Sequence, residues 1–143
     1  MRVLADTNLF ISYLLRRSIT ESAVDYFFRS LAEGKFALIL PEDLLLELTR
    51  KITAKPYLQS MISPDQADEF LDAITVLSIT VPRLHEPIPR ICRDPKDDYL
   101  LACAFIGEAD YLVTGDKDLL VLREIGPLKI VSPTQFRERL ETG

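Results

Sequence analysis

The sequence has a single histidine, His85, and only two cysteines, Cys92 and Cys103. One histidine excludes catalytic designs built on a histidine pair or a histidine-rich zinc cluster. Two cysteines are too few for a disulfide scaffold, and a zinc site would need further ligands, so both read as packing thiols. Long apolar runs are also missing: the stretch from Phe36 to Leu40 falls far short of the ~18 residues a membrane helix needs, and Met1-Arg2 leads straight into a strand rather than a signal peptide. A cytoplasmic protein is expected. No Gly-x-x-x-x-Gly-Lys-Ser/Thr segment is present, which disfavours a P-loop nucleotide hydrolase. Carboxylates and hydroxyls are what remain for hydrolytic chemistry.

At 143 residues and 48% hydrophobic content the chain suits one domain, residues 1–143, with a real core. Its net charge of −5 argues on its face against nucleic acid, because phosphate binding leaves a basic footprint. The objection depends on where the acids sit. Four acids holding two divalent cations would bring the protein to −5 + 4 = −1 and reverse the local field.

Apolar runs at Val3 to Ala5, Phe36 to Leu40, Ser78 to Val81, Tyr111 to Thr114 and Lys129 to Val131 predict five strands, each followed by Pro, Gly or Asp punctuation. Helices are expected between them. Ser18 with Glu21 fits a capping box for a helix running to Glu33, where Gly34 supplies a left-handed stop. Pro41 fits the first turn of the next helix. Ser63-Pro64-Asp65-Gln66 and Ser132-Pro133-Thr134-Gln135 repeat one start signal, a serine cap with a glutamine three residues later. Alternating strands and helices imply a mostly parallel sheet covered on both faces, with ligands beyond the carboxyl ends of the strands. The longest loop candidate, Pro82 to Pro95, is expected to border such a site.

Asp6 follows the first strand directly, in Asp6-Thr7-Asn8, where an acid is held on a rigid element; the plain alternative is a turn or cap, and Asn8 could cap a helix from Leu9. Glu47 borders the apolar stripe Leu44, Leu45, Leu48 and Ile52 of a helix, whereas Glu42 and Asp43 in its first turn suit the helix dipole. Asp98 starts a column that steps through Leu101, Ala102 and Phe105, all apolar, so its carboxylate must be paired, protonated or metal-bound if that face is inward. Asp94 and Asp97 are the candidates for capping. The fourth strand breaks at Gly115 into Asp116 and Asp118, which one cation could reach together. Crowded carboxylates cannot all ionise without a counter-charge, so a cluster of them predicts a divalent cation with oxygen ligands.

In order, Asp6-Thr7-Asn8, the helical Glu47, Asp94-Pro95-Lys96-Asp97-Asp98-Tyr99-Leu100-Leu101-Ala102 and Leu112-Val113-Thr114-Gly115-Asp116-Lys117-Asp118-Leu119 resemble the PIN-domain nucleases over nearly the whole chain. The likeness is to the prokaryotic branch of VapC-type toxins from toxin–antitoxin pairs. It implies an α/β three-layer fold with a mostly parallel five-stranded sheet flanked by helices, often in a homodimer. It makes Asp6, Glu47, Asp98 and Asp116 the acidic quartet around Mg²⁺ or Mn²⁺, Asp118 an additional acid, and Asn8 and Thr114 supporting polar groups. It also implies an RNA substrate, in-line hydrolysis leaving 5′-phosphate and 3′-hydroxyl ends, and a cognate antitoxin as partner. Substrate contacts would come from cations around the cleft, with Arg16-Arg17, Lys51, Lys55, Arg90, Arg93, Lys96 and Lys117 as unranked candidates.

Three rivals share parts of the pattern. A receiver-type signalling domain needs a phosphoryl-accepting Asp after its central strand, and Phe36 to Leu40 ends in Pro41. A haloacid-dehalogenase-type phosphatase needs an acid two residues beyond the nucleophilic Asp, where Asn8 stands. A PIN-like module without catalysis is the non-enzymatic alternative, and the full set of mutually repelling acids speaks against it.

Overall fold

A computed structural model of the protein describes residues 1–15, 20–82 and 88–143. Its elements in chain order are β1 (Arg2–Ala5), α1 (Thr7–Leu14), α2 (Ala23–Ala32), β2 (Ala37–Pro41), α3 (Glu42–Ala54), α4 (Pro56–Met61), α5 (Pro64–Leu77), β3 (Ser78–Val81), α6 (Pro95–Ile106), β4 (Tyr111–Val113), α7 (Lys117–Leu120), β5 (Glu124–Ile125), β6 (Leu128–Val131) and α8 (Pro133–Thr142).

The strands form one sheet in the order β3-β2-β1-β4-β6-β5, parallel except for the β5–β6 pair. Side chains alternate faces along a strand. Yet Val3, Leu4 and Ala5 are all buried, as are Leu38, Ile39 and Leu40, so the central strands are covered on both sides and read as uninterrupted apolar runs. An aromatic group ties helices to this sheet: Phe27 of α2 lies 4.9 Å from Phe36 and 5.7 Å from Phe136 of α8 between ring centroids. At the end of α6, Gly107 lets the chain pass close to β2, since a Cβ there would stand 2.9 Å from Ile39 Cδ1.

Six strands are present among the described residues where five were expected. The additional one, β5, has two residues and pairs antiparallel with β6 through Glu124↔Lys129 and Ile125↔Leu128. It lacks an apolar run, so periodicity does not show it; its turn, with Gly126 at φ +56°, is the only local signal.

Caps explain most helix starts. Ser63/Gln66 and Ser132/Gln135 form reciprocal capping boxes as expected. Ser18, the expected cap of α2, lies outside the described residues. The box there is Ser22 with Asp25: Asp25 N donates to Ser22 Oγ at 3.1 Å and Ser22 N donates to Asp25 Oδ2 at 3.0 Å. An Asp at the third position thus does what the longer Glu/Gln usually does. Gly34, at φ +75°, follows α2 in the left-handed region as its sequence position predicts. Pro41 closes β2, one residue before α3, instead of entering the helix.

The connection after β1 runs to β2 on one side and the connection after β4 runs to β5 and β6 on the other, which makes the gap beyond the ends of β1 and β4 the switch point of the sheet. Open parallel sheets hold ligands at such a point.

Candidate active site

Asp6 and Thr114 follow β1 and β4, the two strands that diverge at the switch point. Asp6 is the N-cap of α1, but its side chain makes no capping bond. Its oxygens are taken from two other directions: Thr7 Oγ1 donates to Oδ1 at 3.3 Å and Thr114 Oγ1 donates to Oδ2 at 3.1 Å. The fully buried Thr114 hydroxyl also accepts from Asp116 N at 3.0 Å. One hydroxyl therefore fixes both Asp6 and the turn that carries Asp116.

A hollow of about 250 Å³ opens here. Its acids are Asp6, Glu47, Asp94, Asp97 and Asp116, its cations are Lys51 and Lys96, and Thr7, Asn8, Leu44, Tyr99 and Leu100 complete the wall. Asn8 thus sits in the first turn of α1 as a wall residue, and the capping position that was its alternative belongs to Asp6. On α3, Leu44, Glu47 and Lys51 follow one another at helical spacing and present one face to the hollow.

The two adjacent acids of α6 part company. Asp97, 5% exposed, lines the hollow. Burial pushes its carboxyl up to about 6, and the negative charges of Asp116, Asp94, Asp6 and Asp118 add to the rise in that order. Asp98, equally buried, lies away from the hollow: Cys92 N donates to its Oδ1 at 2.6 Å and Ile91 N at 2.9 Å. These amides, Cys92 first, hold the Asp98 carboxyl below the usual carboxylate range against the opposing effect of burial, and Arg90, with Nε 3.4 Å from Oδ2, helps. Asp98 therefore fastens the segment before α6, and the inward column expected from it is displaced by one residue. Asp97, Leu100, Leu101 and Ala104 are buried at i, i+3, i+4 and i+7, whereas Phe105 is exposed. Burying Asp98 in a loop anchor satisfied the apolar-column argument by a route that stepping from Asp98 could not reveal.

Asp94 is the N-cap of α6, accepting from Lys96 N at 2.9 Å. Asp118 is exposed in the first turn of α7, where its amide donates to Asp116 Oδ1 at 2.9 Å, and it does not line the hollow. Glu47 Oε1 lies 3.2 Å from Lys51 Nζ and 3.7 Å from Lys96 Nζ. Of the other cations named from the sequence, Arg90 reaches Asp98, and Arg16 and Arg17 lie outside the described residues. The Pro82 to Pro95 loop borders the hollow through Asp94, and its residues 83–87, His85 among them, lie outside the description.

Oxygen donors alone, without thiolate or imidazole, suit a hard cation such as Mg²⁺ or Mn²⁺. Among the described residues no three Asp, Glu, His or Cys side chains converge closely enough to hold an ion unaided. Mg²⁺ does not require that, since it keeps several waters and takes one or two carboxylates together with phosphate oxygens. Burial first, and then the negative charges of its neighbours, penalise the charged form of Asp97, a penalty of the kind a cation relieves. The donor set fits.

A PIN domain family model matches residues 2–118, a span that contains every acid of the hollow. The chain belongs to the PIN domain family. PIN domains are generally nucleases and typically use divalent metals. None of the curated proteins compared matches this PIN domain. No helix among its described residues is long and apolar enough to cross a membrane.

Proposed function

We propose that this PIN domain is an endoribonuclease dependent on Mg²⁺ or Mn²⁺, cutting RNA phosphodiesters at the hollow beyond β1 and β4. The observation that carries the reading is the meeting of Asp6, Glu47, Asp97 and Asp116, from four separate segments, around one opening at the switch point. We assign the cation to the Asp6, Asp97 and Asp116 cluster, held by one or two of these carboxylates with water and phosphate oxygens completing its shell. In this reading Asp97 replaces Asp98, whose Oδ1 accepts from both the Ile91 and Cys92 amides and whose Oδ2 lies beside Arg90, and Asp118 acts on the cluster through its charge and through the amide it donates to Asp116. A cation held there would supply Lewis acidity, letting water lose a proton near neutral pH to become the nucleophile toward a phosphodiester and offsetting charge on the phosphate. Thr7 and Thr114 hold Asp6 in one orientation, and Thr114 keeps Asp116 beside it. Asn8 offers an amide to substrate from the wall of the same hollow.

Cleavage of single-stranded RNA by wild type, Asp6→Asn, Asp97→Asn and Asp98→Asn proteins, with Mn²⁺ and with chelator, tests the assignment. We expect metal-dependent cutting by wild type, none above background for Asp6→Asn and Asp97→Asn, and measurable activity in Asp98→Asn. Equal cutting by wild type and the Asp6 and Asp97 variants would identify a contaminant and end the proposal.

The resemblance to VapC-type toxins supports a narrower role as the toxin of a cytoplasmic toxin–antitoxin pair, acting as a homodimer. A short neighbouring reading frame encoding a DNA-binding protein whose tail inhibits the nuclease would support it. A solitary gene would leave a processing nuclease.

A further inference from the structure

Glu47 is engaged by two ammonium groups at once. Lys51, one turn on along α3, and Lys96, from the first turn of α6, lie 3.2 and 3.7 Å from the same atom, Glu47 Oε1. Lys51 Nζ also donates to Thr7 Oγ1 at 3.1 Å, and that hydroxyl donates to Asp6. The side chain of Lys51 is 23% exposed and held at two points, whereas that of Lys96 is 73% exposed. A single lysine would neutralise Glu47. Two leave this trio with a surplus of one positive charge, in the same hollow as Asp6, Asp94, Asp97 and Asp116.

A backbone phosphodiester carries one negative charge and has its oxygens on two sides, so it can face a cation at the acids and an ammonium group opposite. Compact ammonium ions suit phosphate as point charges, and a lysine already fixed loses little freedom on meeting one. We propose that Lys51 and Lys96 form a clamp for one RNA backbone phosphate, with Glu47 holding the two ammonium groups ready for it. This deepens the nuclease reading and rests on it for the identity of the substrate. Lys51, fixed beside Asp6, positions the phosphate at the acids; Lys96, at the open rim, draws the strand in. The plain alternative is that both lysines only offset nearby carboxylates, in which case their loss alters cation binding and not RNA binding.

The test measures fluorescence anisotropy of a short single-stranded oligoribonucleotide with the whole protein over a range of salt concentrations. Ca²⁺ replaces Mn²⁺, and the RNA is checked for intactness. Lys51→Gln and Lys96→Gln are each expected to weaken binding about three- to tenfold and to reduce the slope of log K against log salt by about 0.7, the share of one phosphate contact on a single strand. Lys51→Arg keeps the slope. Mn²⁺ affinity stays within about twofold in all three, and with Mn²⁺ the Lys51→Gln protein loses kcat as well as KM while Lys96→Gln loses chiefly KM. Unchanged RNA affinity and slope in both glutamine variants overturns the clamp even if Asp97→Asn is inactive, which leaves the nuclease standing. Lowered slopes in a protein that never cuts RNA would uphold the clamp and overturn the nuclease.

Discussion

Thr114 Oγ1 donates a hydrogen bond of 3.1 Å to Asp6 Oδ2 across the neighbouring ends of β1 and β4, and the same oxygen accepts the Asp116 amide. Its hydroxyl is thus a joint between two acids. Thr114→Val keeps the shape of the side chain and removes both bonds, leaving the part-buried Asp6 Oδ2 and Asp116 amide without this partner. Urea unfolding should show a loss of about 1–3 kcal/mol, accompanied by weaker Mn²⁺ binding, and Thr114→Ser should recover most of both. A Thr114→Val protein that binds Mn²⁺ like wild type would remove the hydroxyl from any part in orienting Asp6.

Asp97 gives the site a pH dependence with a definite sign. Its carboxyl is raised to about 6 from an ordinary 3.8, so the folded protein holds this proton more tightly than the unfolded chain does. The stabilisation belongs to the protonated form, is fully present below about pH 4, and is lost as the pH rises through 6. Asp97→Asn should therefore stabilise the metal-free protein at pH 7 by up to about 3 kcal/mol, seen as a higher urea midpoint with chelator present. Mn²⁺ should stabilise wild type and not the variant, and its affinity for wild type should fall as the pH drops through 6. A metal-free Asp97→Asn protein less stable than wild type would contradict the electrostatic account.

Asp98 predicts the opposite behaviour. With its carboxyl held low by the Cys92 and Ile91 amides, its contribution is present above the ordinary carboxylate range and lost as the pH falls through the lowered value. Asp98→Ala should speed hydrogen exchange at the Ile91 and Cys92 amides at least tenfold and expose the 88–94 segment to protease, with Mn²⁺ affinity kept within a few fold. Loss of Mn²⁺ binding with unchanged exchange would return Asp98 to the cation.

At Gly107 a methyl group would meet Ile39 Cδ1 at 2.9 Å, Cγ2 at 3.0 Å and the Cys103 carbonyl oxygen at 3.2 Å. Ile39 is fully buried and has little room to yield. Gly107→Ala should accordingly cost about 1–3 kcal/mol in urea unfolding, despite the usual helical advantage of alanine. The double variant Gly107→Ala, Ile39→Val should recover part of that loss.

The parts of this protein that follow from local chemistry were legible in its sequence. Uninterrupted apolar runs marked the buried strands, and the serine–glutamine boxes before α5 and α8 marked helix starts. Asp6 and Asp116 could be sought at the site because the ends of β1 and β4 were readable. The choice between Asp97 and Asp98 was not. Both are buried, both begin the same helix, and what separates them is the pair of amides at Ile91 and Cys92, a contact made by an irregular segment that carries no periodic signal. The two lysines on Glu47 were hidden for a related reason: Lys51 is its helical neighbour, but Lys96 comes from α6, and only the packing of separate helices brings them to one oxygen.

The order β3-β2-β1-β4-β6-β5 also sets when the hollow can exist during synthesis. β1 can find β2 early, because the two are near in sequence, but the opposite flank of β1 stays bare until the ribosome has made β4 and its trailing Thr114 and Asp116. Up to that moment Asp6 lacks both its distant hydroxyl partner and Asp116 of the β4 turn. A chain halted before β4 therefore carries Asp6, Glu47 and Asp97 but neither Thr114 nor Asp116, and so lacks the assembled hollow.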